Sequence, residues 1–404
     1  MILTMAWRNL WRNRSRSVII IISIALGLLA GISAMALYKG MTKSRIRTVV
    51  YSEVGHLQLH APAFKKEEEP QFFLANGPAK LKEITGLPEV KYAAPRSVTN
   101  GMLTTPGGSA GVKIYGVIPA LEYKISKLNE KVVAGNLFRT GRKNQIWIGK
   151  KLADKMKLKA GAKLVLTFTD TSGEIVSGAF RVAAVYQTDN APRDEKNVYV
   201  EMKDLNAMLG LNNKFHEIAV LLKDDDAVTQ IQKQLRQTYP DAEVESWIDL
   251  APELNLLVKT THQYSYIIMA VIMLALAFGI INTMLMAVLE RTREIGMMMA
   301  LGMQRVRIFT LVVLETFILT AIGAPVGLLA GWVIIQYFNR HGLDLSTMGT
   351  EMMRSFGFST MVYPEFPTEK LAGIIIIIFV TAIIACLFPS VKAVMLKPVD
   401  ALKR

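Results

Sequence analysis

The chain has 404 residues, of which 47 are Lys or Arg and 33 are Asp or Glu, giving a net charge of +14. Four uncharged segments are each long enough to cross about 30 Å of hydrocarbon, which excludes an ordinary water-soluble protein. Because the arginines cluster at the ends of these segments, we interpret the basic charge as contact with the membrane surface and expect no nucleic acid partner.

Residues 1–16 predict an amphipathic helix at the membrane interface. Tryptophans one turn apart are accompanied by arginines on a neighbouring face, namely Trp7, Trp11, Arg8, Arg12 and Arg16. Tryptophan prefers the headgroup level, and arginine can reach the lipid phosphates.

Residues 17–40 predict the first transmembrane helix. A cleaved signal peptide is the alternative, but an apolar core of about twenty residues exceeds the usual length of about 7–15. Gly27 and Gly31 lie one turn apart and favour close contact with another helix. We therefore expect a retained membrane anchor.

Residues 41–259 predict an extracytoplasmic α+β domain, with two lobes because of its size. The alternation in residues 56–60, where His56, Gln58 and His60 flank two leucines, predicts a half-buried strand. Helical and strand-like patterns alternate after it, and "TTPGGSAG" and "TDTSGE" predict turns. The chain has one cysteine, Cys386, so no disulfide can form within it.

The sequence contains none of the common catalytic or nucleotide-binding motifs. It has no G-x-x-x-x-G-K-[ST], G-x-S-x-G, H-E-x-x-H or C-x-x-C. We therefore expect no catalytic residue, no metal and no directly bound cofactor in this chain.

The remaining segments follow in order: a transmembrane helix at 260–289, a cytoplasmic loop at 290–307, a transmembrane helix at 308–339, an extracytoplasmic loop at 340–369, a transmembrane helix at 370–391 and a cytoplasmic tail at 392–404. The amino-terminal segment, the 290–307 loop and the tail are rich in Arg and Lys, which places them in the cytoplasm by the positive-inside rule.

The third predicted span carries a stripe of glycines and one acidic residue. Gly323, Gly327 and Gly331 repeat every four residues and favour close helix packing. Glu315 lies within the apolar segment, where an ionisable residue is a candidate functional site. The alternative is a structural role, in which Glu315 snorkels to the cytoplasmic interface or pairs with an arginine of the 290–307 loop.

Two motifs in the carboxy-terminal third resemble those of a known family. "RTREIGMMMALGM" at 291–303 and "PSVKAVMLKPVDALK" at 389–403 are similar to signatures of the MacB-like permease superfamily of ABC transporters, which includes MacB, FtsX and the lipoprotein-releasing LolC and LolE. The order of one span, a large domain and three further spans also resembles this family. A four-helix membrane protein with a MacB-like periplasmic core domain is the fold that the resemblance implies.

The resemblance implies a coupling helix that docks onto a separate ABC ATPase. Its residues would be Glu294, Ile295, Gly296, Met299, Ala300, Leu301 and Gly302. ATP and Mg²⁺ would be bound by an ATPase dimer, and the permease would pair with a second copy or a paralogue. Conformational change would then pass to the external domain by mechanotransmission.

The length and the stretch at 180–210 look most like LolC and LolE. That likeness implies lipoprotein extraction from a bacterial inner membrane, with a periplasmic chaperone gripped by a loop containing Asn190, Pro192 and Arg193. A plain hairpin is the alternative for this loop. Acyl chains would enter beside Leu37, Tyr38, Tyr264, Ile267 and Ile268, which ordinary lipid contact explains equally well. Efflux of peptides, antibiotics or other amphiphiles, or an FtsX-like signal relay, are the alternative functions.

Overall fold

A computed structural model describes residues 2–12, 14–139 and 141–395 of the chain. The part of the predicted tail from 396 to 404 lies outside the described residues. The described chain forms two compact units. The helical unit comprises the described residues of 1–42, 258–343 and 362–404, and the sheet unit comprises those of 43–257 and 344–361.

The helices in chain order are α1 (Ile2–Arg12), α2 (Arg14–Val49), α3 (Phe64–Glu67), α4 (Gly77–Thr85), α5 (Pro119–Ser126), α6 (Lys150–Lys155), α7 (Ala191–Lys196), α8 (Met202–Leu209), α9 (Val228–Thr238), α10 (Trp247–Leu250), α11 (Pro252–Glu290), α12 (Thr292–Ala300), α13 (Arg305–His341), α14 (Thr350–Ser355) and α15 (Leu371–Val394). The strands are β1 (Leu57–His60), β2 (Val90–Thr105), β3 (Gly108–Val117), β4 (Val132–Gly135), β5 (Gln145–Gly149), β6 (Lys163–Thr169), β7 (Ile175–Tyr186), β8 (Asn197–Glu201), β9 (Glu217–Leu222), β10 (Glu243–Ser246), β11 (Leu343–Asp344) and β12 (Met361–Val362).

Four helical stretches of the described chain are long and apolar enough to cross a membrane, at 14–54, 263–290, 305–341 and 368–394. Each contains or overlaps one of the predicted spans. The first and third stretches extend well beyond the uncharged segments. Charged residues limit how much of a helix can lie in hydrocarbon, but they do not end the helix. A short π-helical segment, Val50–Val54, directly continues α2.

The interior of the helical unit is mainly apolar and includes residues from all of its long helices. One cluster joins α1, α2, α11, α12, α13 and α15, with Leu10, Ile24, Ile280, Ile308 and Ala385 among its buried members. In a bilayer the backbone of each span must satisfy its own hydrogen bonds, so helices are the expected solution. Side-chain packing between them then fixes their arrangement.

Six strands of the sheet unit pair in a closed ring, in the order β2, β3, β8, β5, β7 and β6, with β6 returning to β2. All six contribute buried apolar side chains to one core cluster, including Leu103, Ile114, Ile146, Leu166 and Phe180. The ring is therefore a small barrel filled by side chains, as closure of a short sheet requires.

A second core lies beside the barrel, where the long strand β2 also pairs with β9, which is followed in the sheet by β1 and β10. Leu57, Ile84, Ile218, Val220 and Leu235 belong to this core. The two lobes predicted from the size of the domain thus correspond to two cores, but β2 runs through both and no linker separates them.

The prediction of a half-buried strand at 56–60 is wrong in one respect. Residues Leu57–His60 do form a strand, but all four are buried, because β9 and β10 flank β1 and protein covers both of its faces. Leu57 and Leu59 join the second core, whereas Gln58 and His60 lie among buried polar groups on the opposite face.

Strands β1 and β10 are antiparallel neighbours, with Leu57 opposite Ser246. β1 follows almost directly on α2 and its π-helical extension, and β10 leads through α10 into α11. The larger segment of the sheet unit, residues 43–257, therefore has its first and last strands paired as hydrogen-bonded neighbours.

Candidate functional site

The segment between the second and third long helices forms a separate short helix, α12. Its end is a Schellman motif, in which Gly302 N–H donates to the Met299 carbonyl and Met303 N–H donates to the Met298 carbonyl. Gly302 adopts φ +90°, a conformation that a residue with a side chain rarely takes. This geometry explains the final glycine of the "ALG" signature.

Helix α12 has a buried face and an exposed face. Ile295 and Gly296 are buried, and Ile295 packs in the helical core. Ala300, Leu301 and Gly302 are exposed, with Leu301 88% accessible. The predicted coupling residues therefore separate into an inner group that anchors the helix and an outer group that can contact a partner.

Two exposed residues of α12 did not belong to the predicted coupling set. Arg293 and Met297 lie on the same open side of the helix as Ala300. Arg293 and Met297 lie seven and three residues before Ala300, a spacing that places all three on one face of a helix, so the sequence could have indicated them. With Val306 at the start of α13, they extend the exposed surface, which we call the α12 surface and define as Arg293, Met297, Ala300, Leu301, Gly302 and Val306.

A polar network holds α12 to its neighbours. Arg291 donates to Glu294 of α12 at 3.1 Å and to Glu315 of α13 at 3.1 Å. Arg12 of α1 also donates to Glu294, and its hydrogen bond, with the charge of Arg291, lowers the pKa of the Glu294 carboxyl. Arg16 pairs with Glu290 at 2.9 Å.

Glu315 is buried and has two donors from distant parts of the chain. In addition to Arg291, the Asn9 side-chain amide donates to Glu315 at 2.8 Å. The structural interpretation expected Glu315 to bond to an arginine of the 290–307 loop. The structure contains such a bond, to Arg291, which directly precedes α12. Asn9 could not be predicted as a partner of Glu315, because its position on the same helical face as Arg12 and Arg16 is the only local signal.

Four of the five glycines predicted to pack helices lie where two helices approach closely. A Cβ atom on Gly327 would lie 2.7 Å from the Ala25 carbonyl oxygen of α2, and one on Gly323 would lie 3.1 Å from the Ile21 oxygen. Gly27 of α2 faces Leu276 of α11, and Gly31 faces Ile272. Gly331, by contrast, leaves ordinary space beside Ile32, with 3.8 Å to the nearest atom.

The residues predicted to border an acyl-chain entrance lie together on α2 and α11. The rings of Tyr38 and Tyr264 meet edge to face with centroids 6.1 Å apart. Tyr264 and Ile267 are exposed, and Leu37 and Ile268 are partly buried. The structure brings these side chains to one end of the helical unit, and their role stays a prediction.

The prediction of a chaperone-gripping loop at Asn190, Pro192 and Arg193 is wrong, and so is the hairpin alternative. Residues Ala191–Lys196 form helix α7, and β7 and β8 on either side of it do not pair with each other. Asn190 and Arg193 are buried, since Asn190 donates to Glu53 at 2.7 Å and Arg193 donates to the Tyr199 hydroxyl. Only Pro192 of the three is exposed, so Asn190 and Arg193 cannot grip a partner.

The histidines of the sheet unit have structural partners. His56 Nδ1 accepts from Leu222 N–H, and its Nε2 lies 2.9 Å from Asp225. His60 Nε2 lies 2.8 Å from Glu245. Within the described chain no group of three or more His, Cys, Asp or Glu side chains is placed to hold a metal ion.

Two protein families match the chain and together cover most of it. The MacB-like periplasmic core domain matches residues 17–238, and the FtsX-like permease C-terminal domain matches residues 266–398. The second match includes α12, Glu315 and the glycine stripe, and the first includes most of the sheet unit.

Curated relatives are similar at low identity over long alignments. An uncharacterized ABC transporter permease of Methanocaldococcus jannaschii is 22% identical over 100% of this chain and 97% of its own length. The pyoverdine export ATP-binding/permease protein PvdT of Pseudomonas syringae pv. syringae is 24% identical over 98% of this chain, which spans 58% of that protein. The lipoprotein-releasing system transmembrane protein LolC of Neisseria meningitidis serogroup B is 22% identical over 77% of each chain.

Proposed function

This chain belongs to the MacB and FtsX superfamily of ABC transporter permeases, and from that premise we propose that it is the permease of a lipoprotein-releasing transporter driven by a separate ATPase. It is a multi-pass membrane protein with a large extracytoplasmic domain. The location that we propose is the bacterial inner membrane, with the α12 surface in the cytoplasm.

The single observation that carries the coupling role is the division of α12 into two faces. A helix that transmits force needs a partner-facing surface and a rigid attachment to the spans. The exposed Leu301 meets the first requirement. The buried Ile295 and the Arg291 bonds to Glu294 and Glu315 meet the second.

An ABC ATPase dimer would bind ATP and Mg²⁺ and press on this surface from the cytoplasm. Met297 and Leu301 offer apolar contacts, since methionine adapts to an irregular groove. Arg293 adds a positive charge for an acidic partner. A second copy of the chain, or a paralogue, would complete the membrane part of the transporter.

Lipoprotein release is the substrate assignment that we favour. The likeness to LolC over 77% of each chain supports it, and so does the apolar outer end of α2 and α11, where Tyr264 and Ile267 are open to lipid or acyl chains. With Arg193 and Asn190 buried, a periplasmic chaperone would have to bind through residues other than these two.

Export of an amphiphile is the second candidate, because the chain aligns over 98% of its length with a pyoverdine export protein. The two assignments differ in what accompanies the permease. Acylated proteins trapped by a non-hydrolysing ATPase variant indicate lipoprotein release, whereas a small amphiphile, or a dependence on a membrane-fusion adaptor, indicates export.

The coupling role is tested by Leu301→Asp. Purification in mild detergent should recover the unmodified permease with its ATPase, and the variant should lose the ATPase, because a carboxylate replaces an exposed apolar contact. Ile175→Asp is the matched control, since Ile175 is also highly exposed, at 78%, but lies on β7 of the sheet unit. Retention of the ATPase by Leu301→Asp would exclude the α12 surface as the docking site.

A further inference from the structure

The sheet unit contains a charged cavity that coupling to an ATPase does not explain. The cavity has a volume of about 240 Å³, which suits a small solute. It lies against the polar sides of β1, β3, β8 and β9, opposite the two apolar cores, and its walls include Glu53, Lys113, Tyr115, Arg193 and Glu217.

The alternation of β3 and β8 produces this polar wall. Ile114 and Val198 point into the barrel core, so Tyr115 and Tyr199 point the other way. The two tyrosines are parallel-strand partners whose rings stack with centroids 5.4 Å apart. They form an aromatic floor, and burial raises the pKa of Tyr115 to about 12, so its hydroxyl stays neutral.

Arg193 is the group in this cavity whose hydrogen bonds are incomplete. Its side chain is 3% exposed. One guanidinium nitrogen donates to the Tyr199 hydroxyl. The other two, Nε and Nη1, have no hydrogen-bond partner among the described residues, and Nη1 has only a 4.0 Å contact with Glu53. A buried cation with free N–H groups is costly unless an acceptor meets it.

The other charges of the cavity are largely balanced. Lys113 donates to Glu68 at 2.7 Å, and Lys65 donates to Glu245 behind the wall. Glu217 has a 3.5 Å contact with Arg96, whose stronger bonds go to Glu122. The Lys, Arg and Glu side chains of the lining are three cations and three carboxylates, namely Lys65, Lys113, Arg193, Glu53, Glu68 and Glu217. His60 also lines the cavity and is paired with Glu245.

We propose that this cavity binds a small zwitterion of the amino-acid class. The ligand carboxylate accepts from the free N–H groups of Arg193, and the ligand ammonium faces Glu53 and Glu217. A polyanion is disfavoured, because it would meet as many carboxylates as cations. The aromatic floor of Tyr115 and Tyr199 leaves room for the ligand side chain.

The ligand would contact the end of the first long helix through Glu53. Glu53 belongs to the π-helical segment that continues α2, and it accepts from Asn190, which precedes α7. Irregular helical turns of this kind often occur at functional sites. The extracytoplasmic domain would therefore sense a solute, whichever substrate the permease moves.

The test uses the full-length permease in detergent and follows hydrogen exchange of the 188–201 segment by mass spectrometry. Probes are a pool of L-amino acids, then L-alanine with two matched analogues, propionate for its carboxylate alone and ethylamine for its ammonium alone. Protection by the amino acids that exceeds protection by either analogue is the expected result. No protection by the pool, or equal protection by propionate, would overturn the proposal.

Variants separate recognition from folding. Arg193→Met should weaken amino-acid binding by roughly tenfold to a hundredfold, as expected for loss of charge-assisted bonds. Arg142→Met, at an exposed arginine of the same unit, should bind normally. Glu53→Gln keeps the acceptor for Asn190. This variant should weaken L-alanine binding and leave propionate binding unchanged. Unchanged L-alanine binding in both Arg193→Met and Glu53→Gln would also refute the site.

Discussion

Replacing Gly327 with alanine tests the contact between α13 and α2 with a single added methyl group. The new Cβ would lie 2.7 Å from the Ala25 carbonyl oxygen and 2.9 Å from the Ala25 Cα. Both atoms belong to the backbone, so neither can rotate away, and the helices must separate. Overpacking of this kind costs about 1–3 kcal/mol, whereas Gly to Ala in a helix gains about 0.5–1 kcal/mol.

Gly331 provides the matched control one turn along the same helix. A Cβ there would meet Ile32 at 3.8 Å, an ordinary contact distance. Gly331→Ala should therefore be neutral or stabilising, by up to about 1 kcal/mol. We expect the two variants to differ by roughly 2 kcal/mol, with Gly327→Ala the less stable.

The assay is SDS-titrated unfolding of the purified permease, followed by tryptophan fluorescence and extrapolated to zero SDS. Wild type, Gly327→Ala and Gly331→Ala are compared in the same detergent and at the same protein concentration. Equal unfolding free energies for the two variants would refute the reasoning, and so would a greater loss for Gly331→Ala. Either result would mean that α2 and α13 are not in backbone contact at Gly327.

Three further predictions concern buried polar groups. Glu315→Leu should cost about 1–3 kcal/mol in the same unfolding assay, because Asn9 and Arg291 lose their acceptor; Glu315→Gln should cost less. Burial lowers the pKa of His216 to about 4, so the contribution of His216 to the free energy of unfolding should fall by roughly 3 kcal/mol between pH 6.5 and pH 4, and the difference between wild type and His216→Gln measures it. Burial raises the pKa of Asp194 to about 6. Its contribution to the free energy of unfolding should therefore be full below about pH 4 and be lost as pH rises through 6. Asp194→Asn should remove this pH dependence, and its persistence in the variant would contradict the assignment.

The spans could be predicted from the sequence because lipid leaves the backbone little choice. An uncharged run of about twenty residues must be helical there. Partners that lie far apart in the chain could not be predicted in the same way. The bond between Asn9 and Glu315 joins residues 306 positions apart, and it depends on how α1 packs against α13.

Polar segments were the main source of error in the sheet unit. The 189–196 stretch has the composition of an exposed loop, yet Arg193 and Asp194 are buried because Tyr199 and Thr188 bind them. Pro95 and Gly101 interrupt the local pattern of β2, so the sequence alone does not indicate one strand of 16 residues there. Tertiary pairing with β3, β6 and β9 overrides that local signal.

The pairing of β1 with β10 gives the main segment of the external domain, residues 43–257, adjacent ends. Leu57 and Ser246 are opposite each other, so the chain departs from the first long helix and returns to the second across the width of a single strand pair. A domain exchanged between a point before β1 and a point after β10 would bring its own β1–β10 pair. The distance between its two attachment points would therefore stay the same. Extracytoplasmic domains could therefore be exchanged between permeases of this superfamily, and substrate range could diversify while the membrane part is kept.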